Sequence, residues 1–189
     1  ADHLTSIYVP GLGAPVGGEV EHAYLIAAML ASEGNRFGRV GVRVLSLDHP
    51  RFVDVAEIVL RANKPPAYLM LPKPRHAADV TRAAHAIDRL GGTAVPLHAL
   101  IETHGALHDA WEIARLPGVQ VLDFGLMDFV SGHHGAINAS NMRSPGQFDH
   151  PLVARAKADV VAAALAHGVV PAHNVSLDLK NTYNVFRDA

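Results

Sequence analysis

Segments with the composition of β-strands alternate with segments of helical periodicity along almost the whole chain. Short apolar runs bounded by glycine, proline or polar residues predict strands, and apolar residues spaced three or four apart predict the helices between them. We predict strands at 4–10, 39–45, 67–72, 94–102, 119–125 and 169–177, a helix at 19–33, and further helices marked by apolar stripes within 52–59, 80–87, 106–113 and 152–165. A loop rich in glycine, serine, asparagine and histidine covers about 131–150.

This alternation predicts an α/β fold in which helices cover a parallel sheet. A (β/α)8 barrel of the TIM type and a doubly wound open sheet both fit. About six strands in 189 residues are few for a closed barrel, which usually takes roughly 250 residues. No glycine-rich nucleotide-binding motif follows a strand, which weakens the nucleotide-binding open sheets. The pattern alone leaves both arrangements open.

Composition restricts the classes of function. The 189 residues, 49% hydrophobic and 18% charged, suit one well-packed domain, which we assign to 1–189. A net charge of −2 gives no reason to expect nucleic acid as a partner. The lack of cysteine excludes disulfides and thiolate chemistry, and no apolar run reaches membrane-spanning length. We therefore expect a cytoplasmic protein that binds neither nucleic acid nor membranes.

Two acidic residues lie just beyond separate predicted strands. Glu102 ends the fourth strand, and Asp128 follows the fifth strand after two residues. Because the carboxyl ends of parallel strands meet at one edge of a sheet, these side chains can face a shared cavity. Carboxylate oxygens are suitable ligands for a hard divalent cation. The pair therefore predicts a metal site and an enzyme.

Two cationic residues occupy similar positions. Arg43 lies near the end of the second strand, and Lys73 follows the third. Functional groups of barrel enzymes gather at this edge, each from a different strand. Two acids and two cations converging there favour the barrel, and they suit metal-assisted chemistry on an anionic substrate.

The histidines offer a competing interpretation. His104 and His108 are four residues apart, a spacing that places both on one face of a helix, as in many zinc sites. With the histidines at 133–134 and a nearby acid they would form a hydrolytic zinc centre. The surrounding motif of a zinc protease is missing, and His108 falls a full turn into a helix on the solvent side. We expect His108 to be a surface residue.

Short motifs spread over most of the chain resemble a known family. The resemblance is to the HpcH/HpaI aldolase and citrate lyase β-subunit-like superfamily, and most closely to its citrate lyase β-like branch, which includes malyl- and citramalyl-CoA lyases. The motifs that carry it, in the family's order, are YVPG (8–11), VRV (42–44), LMLPK (69–73), ALIET (99–103) and LDFGLMDF (122–129).

This resemblance implies a (β/α)8 barrel that cleaves or forms carbon–carbon bonds next to a carbonyl with the help of Mg²⁺. It implies Glu102 and Asp128 as the metal ligands. Arg43 corresponds to the arginine that contacts substrate carboxylate and carbonyl oxygens. Lys73 corresponds to the lysine of the LPK segment, which has a supporting catalytic role.

The resemblance also implies the substrate and its surroundings. The backbone around Gly125, Leu126 and Met127 would border an oxo- or hydroxy-acid group. The substrate would be a hydroxy-diacid acyl-CoA or a related oxo-acid, and relatives lead us to expect a homo-oligomer. For the CoA group, the sequence offers only three candidate contacts, Arg36, Arg39 and Arg75.

The chain departs from the family pattern in three places. The acidic segment that usually follows the first strand is absent, Leu45 replaces a common asparagine, and the final strand and helix of relatives have no counterpart. We therefore expect an incomplete barrel over 1–189. A catalytically silent barrel that binds or scaffolds is the second alternative.

Overall fold

Six short strands form one sheet in which every neighbouring pair runs parallel. The computed structural model describes residues 5–8, 18–175, 177, 181–183 and 186, with the backbone alone for 5–8. The strands are β1 (Thr5–Tyr8), β2 (Val40–Arg43), β3 (Leu69–Leu71), β4 (Leu97–Ile101), β5 (Val119–Phe124) and β6 (Val170–Ala172).

The strands lie in the sheet in the same order as in the chain, from β1 to β6. A doubly wound sheet would reverse its strand order at a switch point. Sequential parallel order is the winding of a (β/α) barrel, so the prediction of a barrel-type α/β fold is confirmed. Within the described residues the ring is open, because β1 and β6 are the two edges of the sheet.

Helices alternate with the strands and pack on them through one continuous cluster of buried apolar side chains. In the described part of the chain, no helix is long and apolar enough to cross a membrane. The helices are α1 (Glu19–Ala31), α2 (Phe52–Leu60), α3 (Ala77–Arg89), α4 (His104–His108), α5 (Ala110–Ala114), α6 (Leu126–Ser131), α7 (Gly146–Asp149) and α8 (Pro151–Ala166).

The strand β4 is buried along its whole length, which indicates that both of its faces are covered. Leu97, Ala99 and Ile101 belong to the hydrophobic cluster under the helices. Successive side chains of a strand point to opposite faces. His98 and Glu102 therefore share the other face of the sheet, which is the barrel interior, and both are buried.

The barrel interior below the strand ends is partly polar. The rings of Tyr68 and His98 stack with centroids 3.6 Å apart and planes within 3° of each other. Nδ1 of His98 lies 3.6 Å from Oδ2 of Asp123 on β5. Branched aliphatic side chains usually fill this space in barrels. Here, an aromatic stack and an acid occupy part of it.

Several predicted boundaries are wrong. The helix predicted over 106–113 is divided at Asp109, whose carboxylate accepts the N–H of Ala77 at 3.0 Å and so ties the break to the start of α3. The predicted loop at 131–150 contains a 3-10 turn at 139–142 and the helix α7. The last strand is only three residues long. Residues 4, 9 and 10 of the first predicted strand lie outside the described residues.

An acid at the start of α3 organises the loop that follows β3. Asp79 is buried, and its Oδ2 accepts hydrogen bonds from the backbone N–H of Arg75 at 2.9 Å and from its Nε at 3.1 Å. Oδ1 accepts one from Arg82 at 2.6 Å. Burial acts to raise the pKa of Asp79, but these hydrogen bonds outweigh it and hold the pKa well below its usual range.

We expect Asp79→Asn to lower the free energy of unfolding by about 1–3 kcal/mol at neutral pH, because the N–H donors of Arg75 and Arg82 lose a charged, buried acceptor. A depressed folded-state pKa stabilises the fold above the unfolded value of 3.8 and loses that effect as the pH falls below it. The difference in the free energy of unfolding between the variant and the wild-type protein should therefore become smaller in acid. Urea unfolding at about pH 7 and about pH 3 measures it. Asp54→Asn, which removes a half-exposed surface carboxylate, is the control.

Candidate active site

The end of β4 places a carboxylate inside the protein. Glu102 directly follows Ile101, the last residue of β4, and is only 5% exposed. The hydroxyl of the next residue, Thr103, accepts a hydrogen bond from the N–H of Ala106 at 3.1 Å and donates one to the carbonyl of Pro74 at 2.6 Å. These bonds cap α4 and fix the strand end against the loop after β3.

Lys73 connects the two predicted metal ligands. Its backbone N–H donates a hydrogen bond to Oε1 of Glu102 at 2.9 Å, and its Nζ lies 3.0 Å from Oδ1 of Asp128. Lys73 has a φ of +51°, in the left-handed region that residues other than glycine rarely adopt. Such strain persists only where the surroundings enforce it. The structure thus gathers both acids around one lysine.

Asp128 is carried by a helix, in a stretch between the predicted strand at 119–125 and the predicted loop at 131–150 to which no element was assigned. The strand β5 ends at Phe124, and Asp128 lies in the first turn of α6. Between them, Gly125 packs directly on Glu102, since a Cβ atom on Gly125 would lie 2.5 Å from Oε2 of Glu102. Only glycine allows this close approach of β5 to the buried carboxylate.

The carboxyl group of Glu102 has a raised pKa. Burial, and after it the negative charge of Asp128, raises the pKa of Glu102 to about 7. The backbone N–H and charge of Lys73 and the charge of Arg43 act in the opposite direction. Arg43 ends β2, so a third strand brings its cationic group to the same edge.

A pocket of about 350 Å³ opens beside these groups. Lys73, Glu102 and Asp128 were predicted from the sequence, but most of the wall was not. Several of the additional residues lie on or beside α6, and a helix predicted between the strand at 119–125 and the loop at 131–150 would have indicated them. The wall consists of Lys73, Glu102, Thr103, His104, Asp128, Phe129, Ser131 and Gly132.

The three residues predicted to border the substrate occupy different positions. Gly125 lies against Glu102, as described above. Leu126 is fully buried in the hydrophobic cluster, so its side chain cannot reach a substrate. Met127 is half-buried. The described wall of the pocket does not include these residues, so their role as backbone contacts stays a prediction.

The structure argues against the zinc alternative. Nε2 of His104 lies 3.1 Å from the carbonyl oxygen of Gly132, whereas Nδ1 of His108 lies 2.7 Å from Oδ1 of Asp109. The side chain of His108 is 87% exposed, which confirms its predicted surface position. Across the described ranges, no group of three or more histidine and acidic side chains is arranged to hold a metal ion. The two histidines therefore serve separate local contacts.

The three arginines suggested as CoA contacts differ in position. Arg36 and Arg39 precede β2 and therefore lie at the amino-terminal edge of the sheet, away from the pocket. Arg75 follows β3 and so lies at the carboxyl-terminal edge of the sheet, where the pocket is, but Asp79 and Asp48 both pair with it. Only Arg75 has a position from which it could approach a ligand in the pocket.

The site combines two hard oxygen donors with two cations. A divalent cation held by Glu102 and Asp128 alone would keep most of its coordination positions for water and a ligand, as Mg²⁺ commonly does. It would also offset the burial and the negative charge of Asp128, which together raise the pKa of Glu102. The donor set of the described residues therefore fits Mg²⁺ and leaves space for a chelating acid.

Solved structures share this fold. A citrate lyase from Burkholderia xenovorans LB400 is 48% identical and superposes with a TM-score of 0.90; the match covers 97% of this chain and 59% of that protein. RipC from Yersinia pestis is 21% identical, with a TM-score of 0.70 over 96% of this chain and 74% of its own. This chain thus spans less than two thirds of the Burkholderia protein.

CitE from Mycobacterium tuberculosis, solved with magnesium, acetoacetate and coenzyme A, is 18% identical and has a TM-score of 0.76. That match covers 97% of this chain and 61% of CitE. A comparison with curated protein sequences gave no significant match. The family model for HpcH/HpaI aldolase/citrate lyase matches residues 22–189. The 48% identity over nearly the whole chain agrees with that match, and the protein belongs to the HpcH/HpaI aldolase/citrate lyase family.

Proposed function

We propose that this protein is a Mg²⁺-dependent carbon–carbon lyase of the citrate lyase β-like type. The observation that carries the proposal is the arrangement of Glu102 and Asp128 around Lys73 beside an open pocket. Family membership supports the reaction class. The solved CitE complexes with magnesium support the choice of metal.

In this proposal Glu102 and Asp128 hold the metal. A bound Mg²⁺ would act as a Lewis acid on substrate oxygens. Glu102 supplies a buried ligand whose position is fixed by Lys73 and Gly125. Asp128 is about half exposed, at 46% of its side chain, so it faces the pocket from which a cation would enter.

The cationic side chains would stabilise charge that develops on the substrate. Cleavage breaks the bond between a hydroxyl-bearing carbon and the carbon next to a carbonyl. The bonding electrons pass to the carbonyl oxygen to form an enolate, and the hydroxyl gives its proton to water as its carbon becomes a new carbonyl. The enolate carbon then takes up a proton from water, which completes the balance. Arg43 offers a planar donor fork for carboxylate or enolate oxygens.

The substrate class is a hydroxy-diacid acyl-CoA or a related oxo-acid aldol. CitE has been solved with oxaloacetate and, separately, with acetoacetate and coenzyme A. The pocket here has Lys73 and Arg43 as cationic neighbours, which suits an anionic substrate. We further propose that the protein acts as a homo-oligomer.

Activity measurements on site variants test this function. Malyl-CoA and citramalyl-CoA are incubated with the protein and Mg²⁺, and acetyl-CoA and oxo-acid release are followed. We expect Glu102→Gln and Asp128→Asn to lower kcat/KM at least about 10³-fold, because each removes a charged ligand of a metal that stabilises the transition state. Glu112→Gln, which changes an exposed carboxylate on α5, should retain full activity.

Full Mg²⁺-dependent turnover by either site variant would show that the assigned site is wrong. Wild-type protein that binds Mg²⁺ but cleaves neither thioester, nor an oxo-acid aldol, would favour the catalytically silent barrel instead.

Gly125→Ala should disrupt the site without changing its charge. The added methyl group would meet the Glu102 carboxylate at 2.5 Å and displace it. We expect at least about a tenfold loss of Mg²⁺ affinity by isothermal titration calorimetry, since a displacement near 1 Å at a site has effects of that order or larger. Gly34→Ala, where the nearest atom is the side-chain oxygen of Ser32 at 3.3 Å, should bind Mg²⁺ normally.

The affinity for Mg²⁺ should depend on pH with a defined sign. Below a pKa of about 7 Glu102 is protonated, so a cation that binds it must displace the proton. We expect the affinity to rise about tenfold per pH unit below pH 7 and to level off above it. Calorimetry from about pH 5.5 to about pH 8.5 measures the profile. The weaker binding of Glu102→Gln should lack this slope.

A further inference from the structure

The ammonium group of Lys73 pairs with Asp128, one of the two proposed metal ligands. Nζ lies 3.0 Å from Oδ1 of Asp128, and the same residue's N–H donates to Glu102 at 2.9 Å. The two contacts are chemically different. The backbone contact positions Glu102 whatever the side chain is, whereas the side-chain contact places a positive charge on the second acid.

An ammonium group and a divalent cation bound to the same carboxylate repel each other. The repulsion between like charges about 4 Å apart is strong in a partly buried site, where the effective dielectric constant is far below that of water. The side chains of Lys73 and Asp128 are 37% and 46% exposed, so the ion pair can open towards the pocket. The N–H contact with Glu102 need not change when it does.

We propose that the Lys73 ammonium is a built-in competitor of Mg²⁺, which neutralises Asp128 in the metal-free protein and leaves it when the cation binds. This inference rests on the proposed function, because it takes Glu102 and Asp128 as the metal ligands. It assigns Lys73 a positioning role that lowers the metal affinity and keeps the two acids together while no metal is present.

Charge-changing variants of Lys73 test the competition directly. Lys73→Gln keeps the backbone N–H and most of the side-chain length but removes the charge. We expect its Mg²⁺ affinity to rise about tenfold by calorimetry, within the range usual for coupled sites. Its melting temperature should fall in EDTA and recover with Mg²⁺. Lys73→Arg keeps the charge, so its affinity should stay within about threefold of wild type.

Lys64→Gln is the matched control. Lys64 is exposed and lies between α2 and β3, at the opposite edge of the sheet. Its charge should be screened from the site at physiological salt. A fall in the Mg²⁺ affinity of Lys73→Gln, or no change, would overturn the proposal and show that the ammonium group supports the metal or is indifferent to it.

A second measurement uses the wild-type protein and does not depend on whether a variant folds. Lysines are acetylated with a limiting amount of acetic anhydride, with and without Mg²⁺, and the modified sites are quantified by mass spectrometry. We expect the labelling rate of Lys73 to rise at least about threefold with Mg²⁺, because the amine leaves its ion pair with Asp128 and becomes free to react. The rate at Lys64 should not change.

Unchanged or slower labelling of Lys73 at saturating Mg²⁺ would contradict the proposal. Failure of the proposed function is recognised separately. Wild-type protein that binds no Mg²⁺ in the same calorimetric titration would remove the metal site itself, and with it this inference. Metal binding without lyase activity would leave the competition testable.

Discussion

The structure around the site depends on how one buried carboxylate is accommodated. An ionised acid without partners would destabilise the protein interior by several kcal/mol. Glu102 is accommodated by the N–H of Lys73, by the nearby charges of Lys73 and Arg43, and by the missing side chain of Gly125. The unusual backbone of Lys73 and the close approach of β4 and β5 both follow from this requirement. These partners do not fully offset the cost of burying the charge, since the pKa of Glu102 stays raised to about 7.

The two faces of the sheet are specialised for different purposes. The face under the helices is apolar and continuous, and its burial supplies most of the stability. The interior face carries Arg43, His98, Asp123 and Glu102, which restricts the apolar packing there. Polar groups that would weaken an apolar core are concentrated on this interior face. This division allows the site to be charged without disturbing the helix packing.

The fold could be predicted from the sequence because its signals are local. Each strand is a short apolar run with turn residues at its ends. The order of strands and helices predicted a parallel α/β sheet, and the charged residues at the strand ends favoured the barrel. Glu102 and Lys73 were predicted for the same reason, since each follows a strand directly. The helix α6 was missed because its six residues, Leu126–Ser131, are too few to show a helical period. The division of the helix after β4 depends on a bond between Asp109 and Ala77, 32 residues apart, which no local pattern reveals.

The contacts inside the site could not be predicted from the sequence for a related reason. That Lys73 contacts both acids requires a left-handed backbone, for which lysine gives no signal. The pocket wall includes His104, which the sequence suggested only as a zinc ligand, and Phe129, which entered only as the end of a family motif. It also includes Ser131, for which no role was predicted. Resemblance to a family identifies charged residues that carry the chemistry. It does not show which backbone groups hold them.

Thr103 shows how one small side chain helps to fix the geometry of the site. Its hydroxyl donates one hydrogen bond and accepts another, which valine, of the same shape, cannot do. Serine is the only other residue of similar size that could replace both bonds. In a family member that keeps this acid but lacks the hydroxyl on the next residue, the end of β4 would no longer be bonded to the loop after β3. Such a chain would hold the buried acid less firmly even where every charged residue is still present.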